Sequence, residues 1–506
     1  MIHDGSPRDL TLQADVCIVG SGPGGAMVAS RLARAGAKVV VLEEGGHYTK
    51  DDFDMQEATA FPHLYQDRGN RASADLSISV LQGRAVGGGT TVNWTTSYRT
   101  PDDVVERWRT RFGAALTPAL LAPHFDEIEA RLGIQKVDLE DTNPNNRALY
   151  DGCKKLGWQV DTTRRNVRGC LRTGYCGMGC PVDAKQTAAL TYLPDAVKAG
   201  AEVYASCRVK RIEWSSGRAT AVHASFLEPR TERESGRSLR VEPRVVVVAG
   251  GAINSPALLL RSGLDQGPAG KFTWLHPVVA VGAFYKERIE GFYGAPQSVA
   301  SHHFAHRAEG AGFFLEAAPV HPMLASIAMP GFGAPLRARM GKLAYVAANI
   351  SLMIDGFDER EQGGTVTLRP DGGPKLDYPF GDRHYECFRA GMKALCQVHL
   401  ANGAEEVVTF HAEPLRITTE AGIAGIDSAP LAPNRFAVFT AHQMGGCRMG
   451  ADPAASVVDP QLRHHAVRNL FVVDGSVFPT SLGVNPMESI YGVASWAAAH
   501  VQAALS

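Results

Sequence analysis

The chain has 506 residues, too many for one simple core, so two interlocked domains are expected. Apolar residues make up 45% and charged residues 20%, the balance of a soluble globular protein, and a formal net charge of -1 leaves no electrostatic footprint for nucleic acid. Met1 to Ser6 carry no basic region and no apolar run. The longest apolar stretch, between Arg244 and Arg261, is interrupted by Asn254, Ser255 and Pro256. Neither a signal peptide nor a transmembrane segment is expected. Nine cysteines, an odd count with several in core-like segments, argue against a secreted disulfide framework and for a reducing, cytoplasmic location.

Residues 14 to 43 read as a β-α-β unit. Val16 to Val19 is an apolar strand, Gly24 to Ala35 a helix with Met27, Val28, Leu32 and Ala35 near helical spacing, and Lys38 to Glu43 a second strand with an acidic end. Gly20, Gly22 and Gly25 follow the G-x-G-x-x-G spacing of a phosphate cradle. Gly20 permits the tight turn, Gly22 lets the backbone approach a pyrophosphate, and Gly25 lets the helix pack against the strand. Glu43 is placed to bind the ribose hydroxyls of an adenosine. NAD and FAD share this cradle, so it does not choose between them.

Residues 50 to 160 read as irregular, a cap or substrate region with one glycine cluster. Within it Gly83-Arg84-Ala85-Val86-Gly87-Gly88-Gly89-Thr90-Thr91-Val92-Asn93-Trp94 is a second glycine-rich loop, bare enough to lie against a planar ring and donate N–H groups to it. Cys170, Cys176 and Cys180 then fall within one short glycine-rich loop. The ordinary reading is a loop with core cysteines. The sharper one is an iron–sulfur site, and a Cys176–Cys180 redox pair is a third. Leu193 to Ala199 reads as helix and Ala201 to Tyr204 as strand. Arg244 to Ala249 is a buried parallel strand, and Ser255 to Ser262 a helix. From 266 to 440 Gly, Pro and His increase, and period-two runs such as 363–370 suggest an antiparallel sheet in a second domain. His302, His303 and His306 lack acidic or cysteine partners for a metal site. His464-His465 reads as a solvated turn. Residues 441 to 506 return to the α/β texture and end in a helix from Ser489 to Ala504.

Five segments together resemble the glucose–methanol–choline (GMC) oxidoreductases: the first glycine turn, Gly87 to Asn93, Gly251 to Leu264, the stretch around His442, and Asp474 to Pro486. The resemblance implies an α/β fold. A Rossmann-like FAD-binding domain is assembled from discontinuous segments, 1–265 and 441–506. An α+β substrate domain with an antiparallel sheet, 266–440, lies between them. It further implies extended FAD held by the cradle (Gly20, Gly22, Gly25, Glu43), by the second loop (Arg84, Gly87, Gly88, Asn93), by the backbone of Val209, and by Asp474 and Gly475. Some members link FAD through a histidine in the second loop. The matching position here is Val92, which implies a non-covalent cofactor. Bacterial FAD glucose dehydrogenases with a three-iron cluster and long-chain alcohol oxidases both have comparable Cys/Gly loops, so a cluster is possible but not the favoured reading.

Ala441 to Gly450 matches the segment that carries the family's active-site histidine, His442, and Asn485 matches the second catalytic position. The implied reaction is alcohol oxidation. His442 is expected to take the hydroxyl proton, and Asn485 to orient the alcohol and lie beside the flavin. A small-molecule alcohol is the expected partner, with O2, a quinone or a redox protein as electron acceptor. Methionines and phenylalanines of the inserted domain point to a hydrophobic substrate. A non-redox lyase and a photoenzyme acting on an acid are the alternatives.

Overall fold

The structure, a computed structural model, describes residues 1–506. Val16, Cys17, Ile18 and the Val39–Leu42 run are apolar on both faces and fully buried, as strands in the middle of a covered parallel sheet must be. Six parallel strands lie in the order Ile2–Asp4, Glu202–Ala205, Val39–Leu42, Leu10–Val19, Glu234–Val248 and Leu470–Val472. The strand expected from Arg244 is longer than its apolar run. It begins at Glu234, and its first half pairs antiparallel with Arg218–Leu227, which in turn pairs with Cys207–Ser215. Its last residues, Val246 to Val248, pair with Leu470 to Val472. Segments more than 200 residues apart thereby share one sheet.

The helix Pro23–Arg34 follows the central strand, with proline in its first turn, where a missing N–H costs nothing. It packs against Tyr192–Lys198 and the C-terminal helix Met487–Ala503, which also meets Pro118–Leu132. Met487–Ala503 is buried almost all round because helices press on it from two sides.

The second sheet is largely antiparallel. Its order is Arg416–Ile417, Glu406–Thr409, Val278–Phe284, Val346–Met353, Phe313–Ala317, Val299–Ser301 and Asp161–Thr162. Val438–Thr440 joins it and pairs in parallel with Ile78–Val80. Two helices, Pro144–Lys155 and Asp382–Ala401, cover one face. Neither helix was expected: the first lies in the stretch read as irregular, and in the second Cys387, Phe388, Met392, Leu395 and Cys396 keep helical spacing within Gly- and Pro-rich surroundings. The period-two run at 363–370 is a strand, Gly364–Leu368. It builds a separate four-stranded sheet with Pro374–Asp377, Lys271–Trp274 and Met444–Gly445. Two local expectations fail. Residues 50 to 160, expected to be irregular, hold the helices Glu57–Leu64, Asp102–Phe112, Pro118–Leu132 and Pro144–Lys155, which bury apolar side chains at helical spacing such as Leu121, Phe125, Ile128 and Leu132. His464 is buried, not solvated, and its Nδ1 accepts from Ala466 N at 3.2 Å. No helix is long and apolar enough to cross a membrane.

Candidate active site

A cleft with about 1580 Å³ of empty space, open solvent at its mouth included, runs from the first glycine turn to His442. Gly20, Gly22, Glu43, Gly88, Asn93, Val209, His442, Asp474, Gly475 and Asn485 all line it. The two glycine loops meet at its floor. Gly88 has φ +56°, and a Cβ there would sit 2.7 Å from the Cα of Gly22, so the contact requires glycine. Gly25 stands one turn up the helix, where a Cβ would lie 2.0 Å from the Gly20 carbonyl oxygen. Its role is helix-to-strand packing. Gly87 lies behind the loop and donates its N–H to Ser21 Oγ at 3.0 Å.

Glu43 is tied down by its own turn. Oε2 accepts from Ser21 N (2.9 Å) and Ser21 Oγ (2.6 Å), and Oε1 from Gly45 N (2.7 Å). Burial pushes its pKa up, and these bonds pull the other way. Arg84 does not line the cleft. It is buried beside Glu44 at 3.4 Å and Glu232 at 3.7 Å, and donates to the Thr231 carbonyl. It fixes the loop from behind. Glu44, which the sequence reading passed over, lines the cleft between Arg84 and Arg208.

Two further supports come from the fold, one of them at a residue that the sequence did not mark. Buried Lys185 donates to the carbonyls of Thr91 (2.6 Å), Asn93 (3.0 Å) and Cys176 (2.6 Å), and burial lowers its pKa to about 8. It clamps the second loop to the cysteine segment. Asp474 joins the last segment to the turn after Val248: its carboxylate accepts from Gly251 N (2.8 Å), Ser255 Oγ (2.5 Å) and Ser476 N (2.8 Å). Cys170, Cys176 and Cys180 are free thiols, and Arg165 Nη2 lies 3.5 Å from Cys176 Sγ. No group of three or more His, Cys, Asp or Glu side chains is placed to hold a metal ion.

Three cleft residues carry a buried polar atom without a partner: Asn93 Oδ1, Trp94 Nε1 and one end of the Asn485 amide. Such atoms are costly unless something binds there. Donor and acceptor groups along a glycine-floored slot suit the polar edge of a flavin ring. The residues present fit FAD, with Val92 in the cleft wall where a covalent link would need histidine.

At the far end, Asn485 Nδ2 and His442 Nε2 are 3.2 Å apart. His442 sits on the loop after Val438–Thr440, its N–H bonded to Thr440 Oγ1. Asn485 stands just before the last helix. Behind His442 is a residue the sequence reading did not single out. His276 is fully buried, and its Nδ1 lies 3.1 Å from His442 Nδ1. His276 Nε2 faces two backbone donors, Leu482 N (3.3 Å) and Gly483 N (3.0 Å). Two N–H groups aimed at one ring nitrogen require a lone pair there, so the His276 proton is on Nδ1. That proton points at His442 Nδ1, which must accept it. Neutral His442 therefore carries its own proton on Nε2, toward Asn485 and the cleft. Asn485 pairs with it through Oδ1, since the two ends of the amide are alike in shape.

The His276 backbone is left-handed at φ +45°. Asp355 holds it there, accepting from Leu275 N (2.8 Å) and His276 N (3.1 Å), with Tyr378 Oη donating at 2.6 Å. Burial lowers the His442 pKa to about 4 and drives that of His276 well below the usual value. Both rings are neutral near pH 7. Beside Asn485 lies Glu316, fully buried in the second sheet. Gln297 Nε2 donates to its Oε2 at 3.1 Å, and burial raises its pKa to about 8.

A parallel-sheet cofactor cradle, a second glycine loop over it and a polar pair at the far end define an FAD-dependent oxidoreductase. Comparison with known proteins agrees. The GMC oxidoreductase N-terminal model matches residues 61–278, the C-terminal model residues 360–494, and an FAD-binding domain model residues 13–51. The chain belongs to the GMC oxidoreductase family. It is 32% identical over 515 residues to a long-chain-alcohol oxidase of Arabidopsis thaliana, covering 96% of this chain and 68% of that protein. It is 35% identical over 488 residues to an uncharacterized GMC-type oxidoreductase of Mycobacterium tuberculosis, covering 95% and 75%. A 2-methyl-1,2-propanediol dehydrogenase of Mycolicibacterium austroafricanum is 26% identical over 550 residues, covering 95% and 94%. Among solved structures, pyridoxine 4-oxidase from Mesorbium loti superposes with a TM-score of 0.72 at 20% identity, covering 96% of this chain and 99% of that one. At that identity the likeness speaks to the fold.

Proposed function

We propose that this protein oxidises a hydrophobic alcohol to an aldehyde or ketone, with FAD as the hydride acceptor. The observation that carries the reading is the His442–Asn485 pair at 3.2 Å on the wall of the flavin cleft. The alcohol and alkanediol named for two relatives support the CH–OH class.

Bound FAD would supply the oxidant. The chain's residues hold the reacting carbon in place and manage charge on oxygen. His442 shares its Nε2–H between Asn485 Oδ1 and the substrate oxygen, and Asn485 fixes the direction of approach. A preorganised donor on the cleft wall stabilises the negative charge that develops on the substrate oxygen. The hydroxyl proton leaves together with the hydride, so that no free alkoxide builds up, and passes to a solvent base through the open mouth of the cleft. This departs from the sequence expectation of proton uptake by His442. The departure rests on the two backbone donors at His276 Nε2, which leave no lone pair on the cleft-facing nitrogen of neutral His442.

Anaerobic mixing of the FAD-loaded protein with a panel of alcohols tests the reading. Bleaching of the flavin by a medium- or long-chain alcohol supports it. A flavin that stays oxidised with every alcohol overturns it. Following reoxidation by O2, a quinone and a redox dye in parallel would identify the class of electron acceptor.

A further inference from the structure

The segment from Ala317 to Ile354 contains no acidic residue. It includes two short helices, Pro322–Ala328 and Gly333–Met340, which form a surface hairpin. Its inner side is anchored. Ala325, Leu343 and Met340 pack with Phe284 and Val346 of the second sheet. The Glu57 carboxylate accepts from Met323 N (2.6 Å) and Leu324 N (2.9 Å). The outer side is bare. Ile327 is 72% exposed and Phe332 89% exposed, an unusual state for two large apolar side chains five residues apart. Arg337, Arg339 and Lys342 follow, and none has a carboxylate within ion-pair distance.

The hairpin also connects inward. Ile327 lies one turn from Met323 on the same helix. Met323 and Leu324 pack on the apolar cluster that contains Tyr65 and Val92, and both of these line the flavin cleft. Apolar side chains thus run from the exposed tip to the cleft wall.

We propose that this hairpin docks on an anionic lipid surface and passes a hydrophobic alcohol from it into the cleft. The apolar tip enters the headgroup region while the exposed cations Arg337 and Lys342 meet anionic lipid, the pattern of an interfacial anchor; Arg339 adds its charge while its Nη1 donates to the Pro330 carbonyl at 2.6 Å. A second copy of the chain fits worse, because a two-fold contact through this hairpin would set like charges against one another. The transfer of substrate rests on the functional reading above. The docking does not.

The test is co-sedimentation of the full-length, FAD-loaded protein with vesicles of phosphatidylcholine alone and of phosphatidylcholine mixed with phosphatidylserine. Binding to the mixed vesicles is expected, weakened by added salt. Phe332→Asp should weaken it, and the double variant Arg337→Glu/Lys342→Glu should weaken it by about 10-fold or more. Because these side chains are exposed, FAD content and turnover of a short, water-soluble alcohol should stay at the parent level. Turnover of a long-chain alcohol carried in the vesicles should fall with binding. No binding by the parent, or equal binding by Phe332→Asp, overturns docking. A parent dimer that Phe332→Asp converts to monomer, without vesicle binding, assigns the hairpin to a contact between copies instead. If vesicles bind but no alcohol reduces the flavin, the functional reading has failed while docking stands.

Discussion

His276 and His442 face one another through their Nδ1 atoms at 3.1 Å, and the far nitrogen of His276 is pinned by the N–H groups of Leu482 and Gly483. The orientation of one proton is thus set two residues away from the substrate. If His442 acts as a donor, His442→Gln, which keeps an N–H, should retain more flavin-reduction activity than His442→Ala. The alanine variant should lose roughly 10²–10³-fold in the rate of reduction while still binding FAD. Stopped-flow reduction by alcohol distinguishes the two. Equal loss in both variants would remove the donor role and restore proton uptake as the simpler account.

Burial places the His442 pKa at about 4, so the neutral ring persists from alkaline pH down to that value. Protonation requires a second N–H at Nδ1, directly opposite the His276 proton. The reduction rate should therefore show no acid limb near 6.5, the ordinary histidine value, and should fall only as pH approaches 4. A limb centred at 6.5 in the parent, absent in His442→Gln, would contradict the buried, paired arrangement.

Glu316 offers a test by stability. Its folded pKa is raised to about 8 against an ordinary 4.5, so the native state holds a proton that the unfolded chain releases. Stability from this group is full below 4.5 and is lost as pH rises through 8. Glu316→Gln, a neutral mimic, should match the parent in thermal unfolding at or below pH 4.5. It should become progressively the more stable of the two as pH rises from 4.5 to 8, with no further change above that. A constant gap across that range would show that the carboxyl is already ionised at neutral pH.

Asp474 joins two segments through three hydrogen bonds to one carboxylate. Hydrogen bonds to a charged group contribute roughly 1.5–3 kcal/mol each, so Asp474→Asn should weaken FAD binding by about 10-fold or more. Flavin retained after dialysis measures it. Full retention would mean that the Gly251 and Ser476 turns hold their shape without the charge.

The sequence by itself determined what is local or carried by one motif. The β-α-β unit followed from apolar periodicity and three glycines, because a tight turn and a close helix leave no room for other residues at Gly20 and Gly25. His442 and Asn485 were legible because each stands inside a short segment of recognisable pattern. Contacts between distant segments were not legible. Lys185 reads as one more surface-type residue until the fold surrounds it with three carbonyls. His276 stands beside His442 only because the turn at 482–483, the strand beginning at Val278 and the loop after Val438–Thr440 converge. Arg84 shows the opposite case: its place in the glycine loop suggested a cofactor ligand, but packing turned its side chain away toward Glu44 and Glu232. Which nitrogen of His442 carries a proton depends on donors 166 residues away and further along the chain. Tertiary structure decides it, because a hydrogen bond's direction is fixed by the partners the fold supplies and not by the residue that makes it.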